Sequence, residues 1–235
     1  MGITKEDWDK RILIGLTAKK GKGWKKKLEE IKKYKIKRFA LFVEEIPLKK
    51  RPELYKELLK LDIEEIPLIH IREDITVEEL EFFKKNFKTN CFTIHENHFD
   101  NLPFWEKFSQ DLFLEFNRDG IVDTRVDMHK IGGFCVDFSH FKASEEDWSN
   151  EFEYILERRD ISKYFKCNHL NGYSYKENRD LHRVKNLKEF AYLKTLPLFL
   201  FGEDIALEMY NSVEQQLKFK EYLIDLLYEK FKEKT

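Results

Sequence analysis

Short runs of β-branched and aromatic residues alternate with longer, Lys/Glu-rich amphipathic stretches along the chain, and this alternation limits the possible folds more than any other feature. Eight such runs occur: Arg11–Ala18, Arg38–Val43, Ile66–Ile71, Cys91–His95, Leu112–Phe116, Gly133–Phe138, Lys166–Leu170 and Asp204–Met209. Between them lie helix-period segments at Trp24–Tyr34, Pro52–Leu61, Val77–Phe87, Ser144–Leu156 and Leu187–Thr195, and Val213–Lys232 follows the last run. Repeated strand–helix units build a parallel sheet, because returning to a neighbouring parallel strand takes a helix-length crossover. Eight units in 235 residues, near the ~250 usual for that architecture, predict an α/β chain folded as a single closed (β/α)8 TIM barrel over residues 1–235. The rival is an open doubly wound sheet. It would need a third glycine in register in the first turn, which reads Lys19-Lys20-Gly21-Lys22-Gly23-Trp24.

Composition enters at two points. A hydrophobic fraction of 42% is enough to fill such a core and argues against general disorder. Lys+Arg 43 against Asp+Glu 44 gives a net charge of -1, so a charged partner would have to be recognised by a local patch and not by the field of the whole molecule. The three scattered cysteines, Cys91, Cys135 and Cys167, sit in or beside apolar runs and are expected to be buried thiols of a reducing compartment. The first residues lack an apolar signal core, and no apolar run approaches the ~20 residues needed to cross a bilayer. The expectation is a cytoplasmic protein with no membrane partner.

The ends of the later strands carry the chemistry. Strand three ends in His70, strand four in His95 and strand five in Glu115; strand six gives Asp137 and His140, strand seven His169, and strand eight Glu208. In a (β/α)8 barrel those ends converge on one face, so residues far apart in sequence would share a single mouth. Imidazole and carboxylate are ligands that borderline divalent ions prefer, and carboxylates at an apolar mouth would be costly without a cation. Asp180 and His182, in the loop after strand seven, add a pair able to reach a common ion. His98 and His129 do not follow a strand in this way and are expected at the surface or in support of the ligands.

The loop after strand one packs Lys19, Lys20 and Lys22 with two glycines and Trp24, on the face towards which the strands point. With Arg72 after strand three it would form a rim for an anionic substrate, DNA or a phosphorylated sugar. Lys49, Lys50 and Arg51 would extend that rim, and Arg118 and Arg125 are weaker candidates for the same role.

These residues resemble the endonuclease IV branch of the xylose isomerase-like TIM barrel superfamily. Phe39-Ala40-Leu41-Phe42 is similar to its second strand, Cys135-Val136-Asp137-Phe138-Ser139-His140 to its D-x-x-H motif, His169-Leu170-Asn171 to its H-L-N motif and Asp180-Leu181-His182 to its D-R-H motif. The resemblance implies nine ligands, His70, His95, Glu115, Asp137, His140, His169, Asp180, His182 and Glu208, holding up to three divalent ions, zinc foremost. It implies hydrolysis of a phosphodiester at abasic sites in DNA, with Glu115 bridging two ions and holding the attacking hydroxide. Glu115, Asp137, His169 and Glu208 also match the one-ion site of the superfamily's sugar isomerases and epimerases, where manganese or magnesium would serve and Glu115 and Glu208 would exchange a proton. Three positions differ from the repair branch: Gly172 follows Asn171 in place of an Asp, Leu181 replaces the arginine of D-R-H, and His95-Glu96-Asn97 replaces a Pro-Gly turn. A barrel that binds a ligand without turnover is the third expectation.

Overall fold

Successive residues of a strand face opposite ways, so the alternation within each strand decides which side chains meet inside the molecule. The structure is a computed structural model that describes residues 2–232; Met1 and residues 233–235 of the expected 1–235 domain lie outside the described residues. Eight parallel strands close a barrel: β1 (Ile12–Leu16), β2 (Phe39–Phe42), β3 (Leu68–His70), β4 (Cys91–His95), β5 (Leu112–Glu115), β6 (Gly133–Asp137), β7 (Phe165–Leu170) and β10 (Asp204–Leu207). They pair in chain order, and β10 returns to β1 through Ile12 opposite Ile205 and Leu13 opposite Ala206. The expected α/β (β/α)8 TIM barrel is therefore the observed fold, with strand limits within two residues of those read from the sequence.

Leu13, Ala40, Phe42, Leu68, Cys91, Phe113, Cys135, Cys167 and Ala206 form one buried cluster inside the barrel. Their strand neighbours Ile12, Ile14, Leu41, Ile69, Phe92, Leu114, Val136 and Ile205 belong to the larger cluster between strands and helices. All three cysteines are buried and free, as expected. The outer layer is covered by helices whose apolar residues recur at helical spacing: Trp24, Leu28 and Ile31 in α2 (Trp24–Lys33), Leu80, Phe83 and Phe87 in α4 (Val77–Phe87), and Leu223, Leu227 and Phe231 in α7 (Val213–Phe231). Thr76 with Glu79 and Ser212 with Gln215 start α4 and α7 by reciprocal capping, which satisfies backbone N–H groups that have no partner within the helix.

The structure departs from the sequence expectation in local elements. A helix α1 (Lys5–Arg11), capped by Thr4 and Asp7, precedes β1, and its Trp8 packs 5.8 Å from the rings of both Phe201 and Phe231. The helix expected at Ser144–Leu156 is two helices, α5 (Phe138–Asp147) and α6 (Asn150–Leu156). Asp137 caps the first directly after β6, Trp148 ends it with φ 49°, and Ser149 caps the second. Leu187–Lys194 is 3-10 helical, and β8 (Gly172–Ser174) pairs with β9 (Arg179–Leu181) in a small antiparallel hairpin beyond β7. Arg51 starts α3 (Arg51–Leu58), but it is fully buried and paired with Asp74 and Glu79, so it does not extend a substrate rim. Among the described residues no helix is long and apolar enough to cross a membrane.

Closure itself depends on Gly15. A Cβ there would lie 1.9 Å from the carbonyl oxygen of Leu207 on β10, and the Gly15 N–H and C=O are both bonded to the Gln216 side chain of α7. Gly15→Ala is expected to cost about 3 kcal/mol or more, because rigid backbone must move to admit the methyl group. Urea unfolding of the variant beside the wild type measures this, and a loss of only a few tenths would show that the seam tolerates opening.

Candidate metal centre

Counting by two from the inner apolar layer towards the strand ends gives the candidate site. Phe42 leads to Glu44, Leu68 to His70, Phe113 to Glu115, Cys135 to Asp137, Cys167 to His169 and Ala206 to Glu208; four residues from Cys91 lies His95. The registers that pair His95 with Glu115 and Asp137 with His169 bring the ends level. Thr93 Oγ1 of β4 lies 3.4 Å from His169 Nε2 of β7, a contact across the barrel interior that shows both side chains pointing inward.

Glu115 stands at the middle. Its Oε2 lies 2.9 Å from His169 Nδ1 and 3.6 Å from His70 Nδ1, and its Oε1 lies 3.7 Å from His140 Nδ1. His169 Nδ1 is also 3.6 Å from Glu208 Oε2. On the other side His70 Nε2 is 3.3 Å and His95 Nε2 4.0 Å from Glu44 Oε2. Three overlapping groups have ligand atoms all within 4.8 Å of one another and so could each share an ion: Glu44, His70 and His95; His70, His169 and Glu208; and Glu115, Asp137, His169 and Glu208. The remaining expected ligands adjoin these in a chain. His140 Nε2 lies 3.9 Å from Asp180 Oδ1, and Asp180 Oδ2 lies 3.2 Å from His182 Nε2. All nine expected positions are thus brought to one mouth.

Supporting contacts aim these ligands. Asp137 Oδ1 accepts from the Ser139 and His140 N–H groups and Oδ2 accepts from Asn171, which fixes the carboxylate while leaving Oδ2 lone-pair capacity. His98 is buried rather than at the surface and accepts the His95 N–H at 3.3 Å, so it holds a ligand's backbone; His129 is exposed. Arg72 donates to the Glu44 carbonyl and pairs with Glu73 and Asp74, which places it at the mouth as an anchor for the Glu44 backbone. Arg118 lies 3.4 Å from Asp180 and also donates to the Asn178 carbonyl, tying the hairpin to the mouth.

The charge balance favours a cation. No Lys or Arg among the described residues forms an ion pair with Glu44, Glu115, Asp137 or Glu208, in contrast to the surface, where Lys37, Lys84 and Lys107 pair with carboxylates. Burial, with Glu115 adding to it, pushes the Glu44 carboxyl up to about 7, and burial pushes Glu208 well above the usual carboxylate range despite His169. Burial pushes His70 well down towards the neutral form, in which imidazole is a ligand. Glu115 is held well below the usual range, since the neighbouring His169, His70 and His95 outweigh its burial. Twelve buried side-chain polar atoms among the described residues lack a hydrogen-bond partner, and seven belong to this mouth: both His70 nitrogens, Nδ1 of His95, His140 and His169, Glu115 Oε2 and Glu208 Oε2. Native interiors rarely leave such atoms unpaired, and a shared cation would satisfy both donor types present, imidazole nitrogen and carboxylate oxygen. The residues present fit a metal ion. A further acidic group, Glu96, Asp119 and Glu151, differs: its two glutamates accept from backbone N–H groups and Ser144 and leave nothing orphaned.

Glu44 is the residue that strand-end reading misses. It lies two residues past the end of β2, and the signal that finds it is parity with Ala40 and Phe42, not proximity to a recognisable strand terminus. Trp24 is the reverse case. It is buried among core residues, so it packs α2 against the barrel and offers no ring to a substrate. Lys20 and Lys22 are exposed, and Lys19 sets its ammonium 5.4 Å from the Tyr210 ring.

Two outcomes follow for the protein free of metal. Glu208→Gln is expected to stabilise it by about 1 kcal/mol or more, since it removes a buried carboxylate whose desolvation the neighbouring His169 only partly offsets. A carboxyl raised above its unfolded value loses stability as pH rises, so the gain should be larger at pH 8 than at pH 5; urea melts at both pH values test this, and a destabilised variant would mark Glu208 as structural. Zinc at about a hundredfold over its dissociation constant should stabilise the wild type by about 2.7 kcal/mol, or roughly 5–10 °C in Tm, and His169→Ala should remove most of that shift in a thermal scan. No protein-family model, curated protein or solved structure matches the chain, and the barrel with its gathered ligands carries the functional reading alone.

Proposed function

We propose that the protein is a metal-dependent hydrolase of phosphoester bonds that cleaves DNA at abasic sites, or a related phosphodiester, in the manner of the endonuclease IV branch it resembles. The observation that carries this is the ligand count: Glu44 and six of the nine expected side chains divide into three groups that share His70, His169 and Glu208, and the other three, His140, Asp180 and His182, follow in a chain from Glu115. A single ion has no use for so many ligands, whereas an in-line displacement at phosphorus benefits from several cations, which offset the diester charge, activate water and stabilise attacking and leaving oxygens together.

The chain's own groups supply position. Glu115 faces the His70/His169 side with one oxygen and His140 with the other, so it links the two sides of the mouth and would orient an attacking water by accepting its hydrogen bond. His140, Asp180 and His182 form the opposite side, and Arg118 puts a guanidinium beside Asp180 where Leu181 supplies none. A cavity of about 450 Å³ lined by Glu44, Arg72, His95, Asn97 and Asn117 opens onto the first ligand group and offers a way in. A second reading, a sugar or sugar phosphate isomerase using manganese or magnesium, is favoured by one observation: Glu115, Asp137, His169 and Glu208 make a compact four-ligand set by themselves.

Metal analysis separates the readings: about three ions per chain accord with the hydrolase and about one with the isomerase, while no uptake of zinc or manganese would leave only a binding barrel. Zinc-loaded protein should cleave an abasic duplex, and Glu115→Gln should lower kcat by about a hundredfold or more. Cleavage no faster than that of the variant would remove the hydrolase reading.

A further inference from the structure

Beside the metal mouth a separate cavity of about 360 Å³ lies between the loop after β1, the first turns of α2 and the segment after β10. Its wall carries Lys19, Lys22, Lys26, Lys27 and Arg183 against one carboxylate, Glu30, whose Oε2 already accepts the Val213 N–H at 2.7 Å. None of the five cations forms an ion pair among the described residues, although Lys25 of the same helix reaches Glu53. Lys27 is buried, and its ammonium meets only neutral acceptors, Thr17 Oγ1 and the Met209 carbonyl. Burial pulls its pKa down to about 7; Glu30 opposes the change and Arg183 adds to it. The first turn of α2 lines the recess through Gly23 and Lys26 and has neither a side-chain cap nor an acidic residue. Four exposed cations gathered around the buried Lys27 repel one another, and an anion with several acceptor oxygens is the group that relieves this.

We propose that this recess is a phosphate-binding subsite that seats a second phosphoryl group of the substrate, next to the one at the metal centre. Its link to that substrate rests on the hydrolase reading; the recess itself does not. Tyr210 forms the partition: its ring lies 5.4 Å from Lys19 Nζ on one side and 5.5 Å from the His182 ring on the other, and its hydroxyl donates to Glu45 at 3.0 Å. A phosphoryl group in the recess is therefore one aromatic ring away from a metal ligand, a separation suited to a substrate with more than one phosphate.

Calorimetric titration of chelator-treated protein with inorganic phosphate tests the subsite without competition from metal. Saturable binding is expected, weakened about tenfold or more in a Lys26→Gln/Arg183→Gln double variant and retained in Glu115→Gln. The exposed Lys22→Gln change should weaken it in smaller measure, which keeps the test decisive if the double variant fails to fold. A parallel titration with a short oligothymidylate identifies the source: losses with both probes assign a nucleic-acid backbone phosphate, and a loss with phosphate alone assigns a terminal phosphoryl group of a small molecule. No saturable phosphate binding by the wild type, or unchanged affinity in the variants, would overturn the subsite. Cleavage of the abasic duplex would then stand or fall separately.

Discussion

Five carboxylates and five imidazoles share one largely buried mouth, and the cost of keeping the carboxylates there without ammonium or guanidinium partners governs much of the chemistry of this protein. Glu115 gains enough from its histidines to stay ionised, but Glu44 and Glu208 do not, and both are driven towards the neutral acid. A protein could relieve that cost with lysines, as this one does over its surface, yet at the mouth only Asp180 has an arginine partner. What is left is a set of carboxylate and imidazole donors with unpaired atoms close to one another, a constellation that would suit a divalent ion.

The barrel makes this arrangement mechanically possible. Seven strands each give a side chain from the same inward parity, and the layer beneath them is filled with small or apolar groups, including all three cysteines. On the outward parity of β7, Asn168 is fully engaged: it donates to the Val136 and Leu200 carbonyls and accepts the Gly202 N–H. Unpaired polar atoms are thus concentrated where a ligand can reach them, and the seam at Gly15 lets β10 approach β1 closely enough to carry Glu208 into the group.

The mouth also has an electrostatic neighbour of opposite sign. The lysine-rich recess and the carboxylate-rich centre are separated by Tyr210, whose ring contacts a residue of each. Cations bound at the centre would turn both halves into a site for anions, so an uncharged substrate would make little use of half the surface.

Much of this was legible in the residues. The alternation of short β-branched runs with amphipathic segments predicts a parallel sheet, its eight units favour a closed barrel, and in such a barrel a metal-capable side chain at the end of strand after strand faces a common mouth. Parity within β2 even contains Glu44, although it stands past the strand's hydrogen-bonded end. Tertiary structure alone decided the rest. Trp24 and Arg51 read as members of a basic rim, and packing buried both, since helical phase turned the indole inward and Asp74 with Glu79 made burial of the guanidinium tolerable. Lys27 and Arg183, more than 150 residues apart, carry no joint signal along the chain, and only the fold sets them against one recess. The sequence by itself determined which side chains each strand presents inward, because that depends on a two-residue period; which of them lie close enough to share an ion, and which cations line one recess, depends on distances that only the closed barrel sets.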